Sequence, residues 1–224
     1  MRTFTIGGKH ISLYPSAAPG RPVLYLNLFA DMGDAVRAAL TQAGCPEHTL
    51  VVISALDWEH DMAPWDAPAA FRGGAPCTGG ADEYLRLLTG AIVPRVEREI
   101  PGPVAWRGLA GYSLSGLFAL YALCRCDLFS RAASMSGSLW FPGIRAYLFS
   151  HPLRQTPAHL YFSLGEKESC TRNPLLQPVR QNTEQIAAFY RSQGFDTALV
   201  FHPGNHTHHA VERTAAGIAW LLSR

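Results

Sequence analysis

Short apolar runs alternate along the chain with longer segments in which apolar residues recur at helical spacing. The short runs have the length and composition of buried β-strands, and they lie at 23–28, 50–56, 104–110, 131–135, 159–164 and 198–201. The helical segments lie at 34–42, 81–99, 117–124, 177–193 and 209–222. Strands and helices that alternate in this way are typical of a mostly parallel sheet with helices on both faces. The pattern therefore predicts an α/β fold.

Three parts of the chain depart from this alternation. The segments 3–6 and 11–14 flank a Gly-Gly pair, which predicts an N-terminal antiparallel hairpin. The segments 57–80 and 136–157 show no period, and both carry tryptophan. Irregular segments of this length inside a compact domain often have a functional role.

Composition indicates one globular domain spanning residues 1–224. Of the 224 residues, 48% are hydrophobic, which is enough for a sizeable core in a single α/β domain. The formal net charge is +2 and the basic residues are scattered, so we expect neither nucleic acid nor a membrane among the partners. Glycine-rich phosphate-binding motifs are absent from the sequence, which argues against a nucleotide-dependent enzyme. The sequence indicates no particular oligomeric state.

Two further features bear on the compartment. Apolar runs fall well short of the roughly 20 residues that a membrane helix needs, and the first residues lack the apolar core of a secretory signal. The five cysteines are odd in number and fit no zinc-binding spacing, which favours free thiols in a reducing compartment. We therefore expect a soluble, cytoplasmic protein.

The most informative motif is Ala-Gly-Tyr-Ser-Leu-Ser-Gly at 110–116. It lies between a predicted strand and a predicted helix that is apolar on all sides, as expected for a helix packed under a sheet. A serine on a sharp strand-to-helix turn, with small residues around it, is how α/β-hydrolases expose a nucleophile. Ser113 is therefore the candidate nucleophile, and Ser115 stands where the usual G-x-S-x-G motif has glycine. A role for Ser113 as the cap of the helix alone stays open.

A serine nucleophile needs a base within hydrogen-bond reach and an acid that orients the base. In α/β-hydrolases they follow in the order Ser, Asp or Glu, His, each on a loop after a strand. Glu166 and Glu168 follow the run 159–164, and His206 follows the last run. Glu168 is preferred to Glu166 as the acid because it lies farther along the loop, and Glu166 stays open. His206 follows Pro-Gly-Asn, a turn that can aim an imidazole back at the sheet edge.

The histidines at 206, 208 and 209 also raise the question of a metal site. A carboxylate pair or a cysteine at ligand spacing does not accompany them in the sequence. We therefore prefer His206 as a base, interpret His208 and His209 as surface residues, and expect no metal.

An oxyanion hole requires two backbone N–H groups aimed at the developing negative charge. The first is expected from Leu114, directly after the candidate nucleophile. The second is expected from the loop after the run 23–28, with Leu28 or Phe29 as candidates. Aromatic residues of the two irregular segments are candidates for substrate binding, although core packing explains each of them about as well: Trp58, Trp65, Trp140 and Phe141.

Several motifs together resemble one family. They are Gly-Tyr-Ser-Leu-Ser-Gly-Leu-Phe at 111–118, Ser-Gly-Ser-Leu-Trp-Phe at 136–141, Ser-Leu-Gly-Glu-Lys-Glu at 163–168 and Pro-Gly-Asn-His at 203–206. The chain resembles the putative esterases of the α/β-hydrolase superfamily, near the ferric-enterobactin esterases and the esterase D group. The resemblance implies an α/β-hydrolase fold and a serine esterase without metal or organic cofactor. It also implies Ser113 as nucleophile and His206 as base. Some relatives work as Ser–His dyads, so the acid is less closely defined.

The leading hypothesis is a serine esterase acting on a small-molecule carboxylic ester. Ser113 would form the acyl-enzyme, His206 would be the general base and Glu168 the orienting acid. Acyl transfer to an alcohol from the same intermediate is a second hypothesis, and a non-catalytic binding module on a hydrolase fold is a third. The sequence does not indicate which ester is the substrate, because fold and catalytic residues do not specify it.

Overall fold

The computed structural model describes residues 1–29, 32–155 and 159–224. Its strands are β1 (Arg2–Ile6), β2 (Lys9–Tyr14), β3 (Val23–Asn27), β4 (Thr49–Ser54), β5 (Asp66–Ala67), β6 (Cys77–Thr78), β7 (Arg107–Tyr112), β8 (Arg131–Met135), β9 (His159–Gly165) and β10 (Asp196–His202). Its helices are α1 (Gly33–Gln42), α2 (Trp58–Asp61), α3 (Ala81–Leu87), α4 (Val93–Glu97), α5 (Leu114–Arg125), α6 (Ile144–Ser150), α7 (Val179–Ser192) and α8 (Ala210–Leu222). A π-helical turn, Leu88–Ile92, joins α3 to α4.

Eight strands form one sheet in the order β1-β2-β4-β3-β7-β8-β9-β10. The pairs β1–β2 and β2–β4 are antiparallel, and every pair from β4 to β10 is parallel. The central strands are buried along most of their length because helices cover both faces. One core cluster contains α5, and the other contains residues of α1 and α8. The predicted α/β-hydrolase fold, with its mostly parallel sheet and N-terminal hairpin, is confirmed.

The two segments predicted to be irregular contain short elements. The first holds α2 and the two-stranded β5–β6 ribbon, and the second holds α6. Residues 156 and 157, at the end of the second segment, lie outside the described residues. These elements are seven residues long or shorter, and apolar periodicity cannot be recognised over so few positions. Among the described helices, none combines the length and apolar character needed to cross a bilayer.

The carboxyl ends of the parallel strands meet at one edge of the sheet. There Asn27 of β3 lies beside Gly111 of β7, and Gly165 of β9 lies beside His202 of β10. Open α/β sheets place their binding sites at this edge because the loops that follow the strands converge there. The loops after β7, β9 and β10 carry all three residues predicted to be catalytic.

The turn from β7 into α5 brings the helix backbone close against the strand. A Cβ at position 111 would collide with the backbone of Ser115, and a Cβ at position 116 would come within 2.9 Å of the Gly111 carbonyl oxygen. At the apex, Ser113 has φ 62° and ψ −126°, a conformation that residues with side chains rarely adopt. The close approach of α5 to β7, which glycine at positions 111 and 116 permits, therefore holds the strained backbone of Ser113 in place.

Gly111→Ala tests this close contact. We expect it to lower the free energy of unfolding by about 3 kcal/mol, because the added methyl group can be accommodated only by moving backbone. Denaturant unfolding measures the change. Gly90→Ala is the matched control, since a Cβ at position 90 meets nothing within 4 Å and alanine is favoured in helical segments by up to about 1 kcal/mol. Equal stability of the two variants would contradict the close contact between Gly111 and the backbone of Ser115.

Candidate active site

Ser113 lies between two cavities at the carboxyl edge of the sheet, and both cavities are also bordered by His206. We call them the apolar cavity and the polar cavity. The apolar cavity has a volume of about 320 Å³, and its border includes Leu28, Phe29, Met32, Trp58, Glu59 and Ala210. The polar cavity has a volume of about 380 Å³, and its border includes Ser136, Ser138, Trp140, Lys167, Thr171 and Asn205. A substrate placed across Ser113 would therefore have room on both sides.

The Ser113 hydroxyl is available for chemistry. It makes no capping hydrogen bond to α5, so a role for Ser113 as a helix cap alone is wrong. Its Oγ lies 3.3 Å from Oγ of Ser138, whose backbone N–H donates to the Ser113 carbonyl at 3.0 Å. Within the described chain, Ser113 Oγ and the His206 ring border the same cavities without a direct hydrogen bond. Catalytic hydrogen bonds are often long without substrate and tighten when it binds.

Ser115 does not crowd the nucleophile. Its side chain is fully buried, and its hydroxyl donates to the carbonyl oxygen of Tyr112 at 2.8 Å and to that of Asn27 at 3.0 Å. Ser115 therefore ties the start of α5 to the ends of β7 and β3, and it borders neither cavity.

Glu168 lies next to His206. Its Oε2 is 2.7 Å from Nδ1 of the imidazole, and its side chain is only 4% exposed. Glu166, the alternative acid, has an exposed side chain that makes no hydrogen bond or ion pair with any described residue. The structure thus brings Glu168, and not Glu166, to the predicted base.

The second oxygen of the Glu168 carboxylate is held by three donors. The Ser136 hydroxyl and the Gly165 N–H each donate to Oε1 at 2.6 Å, and a guanidinium N–H of Arg213 donates at 3.3 Å. Burial alone raises the pKa of the Glu168 carboxyl. The interactions with His206, Ser136 and Gly165 outweigh burial and leave the pKa below its usual value. Glu168 is therefore a carboxylate when it faces the imidazole.

Arg213 of α8 connects several of the loops around the site. It is 1% exposed, and besides Glu168 it donates to the Tyr112 hydroxyl at 3.2 Å, to Ser136 Oγ at 3.1 Å and to the Pro203 carbonyl at 2.9 Å. The Tyr112 hydroxyl in turn donates to the His206 carbonyl at 2.6 Å. Sequence reasoning missed Arg213, although a single charge in the otherwise apolar stretch 213–222 is a signal for a buried partner.

The other two histidines of the cluster do not join His206. His208 Nδ1 lies 2.6 Å from the Asn205 side-chain oxygen, and His209 Nδ1 lies 3.9 Å from the Glu212 carboxylate. Both rings are exposed. Over residues 1–29, 32–155 and 159–224, there is no group of three or more metal-ligating side chains arranged to hold an ion.

Two backbone amides are free to form an oxyanion hole. The Leu114 N–H, at the start of α5, and the Phe29 N–H make no hydrogen bond to a described residue. Leu28, the other candidate from the sequence, is not available, because its N–H donates to the Ile53 carbonyl at 2.9 Å. This corrects the prediction for Leu28 and leaves Phe29, which borders the apolar cavity together with Ser113.

The predicted aromatic residues divide into two pairs. Trp58 borders the apolar cavity and Trp140 the polar cavity. The prediction that Trp65 and Phe141 bind substrate is wrong, because neither residue borders either cavity. Phe141 is 1% exposed, and Trp65 packs on it and donates from Nε1 to the Pro142 carbonyl.

Two other aromatic side chains flank the site, and the sequence did not predict either of them for substrate binding. Phe29 is 72% exposed and packs edge-on against Trp58, and Phe71 is 64% exposed and borders the polar cavity. Both lie in loops where no periodicity marks a side chain as buried or exposed. The candidate site therefore has exposed aromatic side chains on both of its sides.

Comparison with known proteins finds matches over most of the chain. The model of the family described as "Putative esterase" matches residues 24–210. The uncharacterized protein YbbA of Bacillus subtilis (strain 168) is 23% identical over 223 residues, covering 94% of this chain and 89% of YbbA.

Two solved structures show the same fold. The siderophore hydrolase EstA from Aspergillus nidulans superposes with a TM-score of 0.76 at 18% identity, covering 99% of this chain and 94% of EstA. An IroE-like serine hydrolase from Shewanella oneidensis superposes with a TM-score of 0.76 at 17% identity, covering 96% of this chain and 76% of that protein.

The lowered pKa of Glu168 predicts a pH dependence of stability. The folded-state pKa lies below the unfolded value of about 4.3. Ionised Glu168 therefore stabilises the fold fully above about pH 5, and this contribution is lost as the pH falls through the folded-state pKa. We expect the free energy of unfolding of the wild type, relative to Glu168→Gln, to decrease as the pH falls below about 4.5.

Urea unfolding at a series of pH values measures this difference. Glu166→Gln is the control, because its exposed carboxylate makes no ion pair with a described residue. A stability difference that grows on acidification would mean that the Glu168 pKa is raised instead.

Proposed function

The chain belongs to the putative esterase family, whose members hydrolyse carboxylic esters, and we propose that it does so through an acyl-enzyme on Ser113. The observation that carries this proposal is the contact between the buried Glu168 carboxylate and Nδ1 of the partly exposed His206, at 2.7 Å, beside a strained serine at the junction of two cavities. A contact with Nδ1 leaves Nε2 as the nitrogen that can take a proton from Ser113.

The acylation step follows from these positions. His206 Nε2 removes the proton from the Ser113 hydroxyl as Oγ attacks the carbonyl carbon of the ester. The tetrahedral intermediate then collapses, the bond to the alcohol oxygen breaks, and His206 returns the proton to the departing alcohol. Water, deprotonated by the same imidazole, then attacks the acyl-enzyme. The bond between the acyl carbon and Ser113 Oγ breaks, His206 returns the proton to Oγ, and the carboxylic acid leaves.

The negative charge of the tetrahedral intermediate falls on the former carbonyl oxygen. In this proposal the N–H groups of Leu114 and Phe29 donate hydrogen bonds to that oxygen, because neither N–H has another acceptor among the described residues. Leu114 directly follows Ser113, and Phe29 borders the apolar cavity together with Ser113. Preorganised donors of this kind contribute about 3 kcal/mol each to transition-state stabilisation.

Glu168 acts through His206. Its carboxylate fixes the ring orientation and stabilises the imidazolium that forms during each step. Arg213 acts one step farther away, as a positioning residue, because it contacts the Glu168 carboxylate and the hydroxyls of Tyr112 and Ser136 without bordering either cavity.

The substrate in this proposal is a small-molecule ester with apolar or aromatic parts. Phe29 and Trp58 border one cavity, and Phe71 and Trp140 border the other; aromatic walls of this kind favour apolar groups. Acyl transfer and non-catalytic binding gain no specific support from the described residues, so hydrolysis remains the function that the site supports best.

Covalent labelling tests the nucleophile. We expect a fluorophosphonate probe to label the wild type and to leave Ser113→Ala unlabelled. Ser138→Ala is the matched control, because Ser138 Oγ is the hydroxyl nearest to Ser113 in the site and should not itself react. Equal labelling of wild type and Ser113→Ala would contradict the proposal.

The two glutamates allow a paired test of the acid. Glu168→Gln should lower kcat on a p-nitrophenyl ester by about 10²- to 10⁴-fold, as expected when the base loses the carboxylate that orients it. Glu166→Gln should stay within about twofold of the wild type, because the change is at the surface. If both variants keep full activity, the enzyme works as a Ser–His dyad.

A further inference from the structure

The two cavities beside Ser113 differ in charge. Among the described residues, the charged side chain that borders the apolar cavity is Glu59, whereas Lys167 and Glu168 border the polar cavity. Of the described residues that border either cavity, Lys167 is the only lysine or arginine. The ester carbonyl at Ser113 therefore has the exposed Lys167 ammonium and the buried Glu168 carboxylate on one side. On the other side it has an apolar surface with the Glu59 carboxylate.

The charge of Lys167 is not neutralised within the described part of the protein. Its ammonium group makes no ion pair with any described carboxylate, whereas the only other lysine, Lys9, pairs with Asp61. The Glu168 carboxylate borders the same cavity, but it is already engaged by His206 and Arg213. An exposed ammonium group at a cavity is normally hydrated, and it gains most from a ligand that brings an opposite charge.

The backbone places Lys167 at a fixed position relative to the site. Its N–H donates to the Gly204 carbonyl at 3.0 Å, in the loop that carries His206, and its own carbonyl accepts the Cys170 N–H at 3.1 Å. Ser138 and Thr171 border the same cavity with side-chain hydroxyls. A charged group bound there would therefore meet one cation and hydrogen-bond donors, a combination that suits a carboxylate or another oxyanion.

We propose that the ester substrate carries an anionic group, such as a carboxylate, which Lys167 binds in the polar cavity. The inference rests on the proposed esterase function and specifies that the substrate is negatively charged. The anionic group is close enough to the ester to lie in the cavity that Ser113 borders, and the apolar remainder of the substrate lies against Phe29 and Trp58.

The test compares pairs of similar esters of which one carries a carboxylate and the other is neutral. One pair places the charge on the acyl side: mono-4-nitrophenyl adipate against 4-nitrophenyl hexanoate. The second places it on the alcohol side: the hexanoyl ester of 4-hydroxybenzoate against that of 4-hydroxybenzamide. The ratio of kcat/KM for the anionic ester to that for the neutral ester is measured in the wild type, Lys167→Met, Lys167→Arg and Arg172→Met.

Arg172→Met is the matched control, because it removes one positive charge from the same loop at an exposed residue that borders neither cavity. We expect Lys167→Met to lower the ratio by about fivefold for at least one pair, the size of a partly exposed ion pair. Arg172→Met should leave the ratio unchanged, and Lys167→Arg should preserve most of it. The pair that responds identifies the side of the ester that enters the polar cavity.

Two outcomes would overturn the inference, and they are distinguishable. Turnover of the neutral esters with ratios that are the same in the wild type and in Lys167→Met, or lowered equally by Arg172→Met, would remove the role of Lys167 and leave the esterase function intact. If the folded wild type turns over no ester of either pair, the proposed function itself fails and the inference fails with it.

Discussion

The candidate site depends on one buried charge, the carboxylate of Glu168. A carboxylate that is 4% exposed is costly unless hydrogen bonds and an opposite charge compensate for lost hydration. Here Oε2 faces the imidazole of His206, and Oε1 accepts from Ser136, Gly165 and Arg213. These donors come from the loops after β8 and β10, from the end of β9 and from α8. Satisfying one carboxylate therefore brings four separate parts of the chain together.

The strained turn at Ser113 is the second constraint, and it is connected to the first. The backbone of Ser113 is held by the close approach of α5 to β7 at Gly111 and by the hydrogen bond from Ser113 N–H to the Met135 carbonyl. The next residue of the chain after Met135 is Ser136, a donor to Glu168. The end of β8 thus holds both the strained backbone of Ser113, the candidate nucleophile, and the carboxylate of Glu168, the candidate acid. A strained conformation persists where the surrounding structure holds it from several sides in this way.

Much of the fold and part of the site could be predicted from the sequence. The alternation of apolar runs and helical segments was sufficient for the α/β fold, because both periodicities are strong in long elements. The chain order of Ser113, Glu168 and His206 placed all three on loops at one sheet edge. Other features depend on contacts that no local pattern records. The Leu28 N–H cannot serve the oxyanion because the Ile53 carbonyl of β4 accepts it. Phe141 packs in the core and the partly buried Trp65 packs against it, although the sequence marks both equally well as binding residues. Arg213 lies in α8, whose apolar periodicity predicts a buried helix but does not predict that this side chain contacts Glu168.

The central claim is that ester hydrolysis passes through a covalent intermediate on Ser113. Rapid mixing of the enzyme with an activated ester, acid quenching and peptide mapping by mass spectrometry test it most directly. We expect the mass of the acyl group to appear on the peptide that contains Ser113, at a rate no slower than turnover. Hydrolysis that proceeds without such a species, or with the acyl group on another residue, would contradict it.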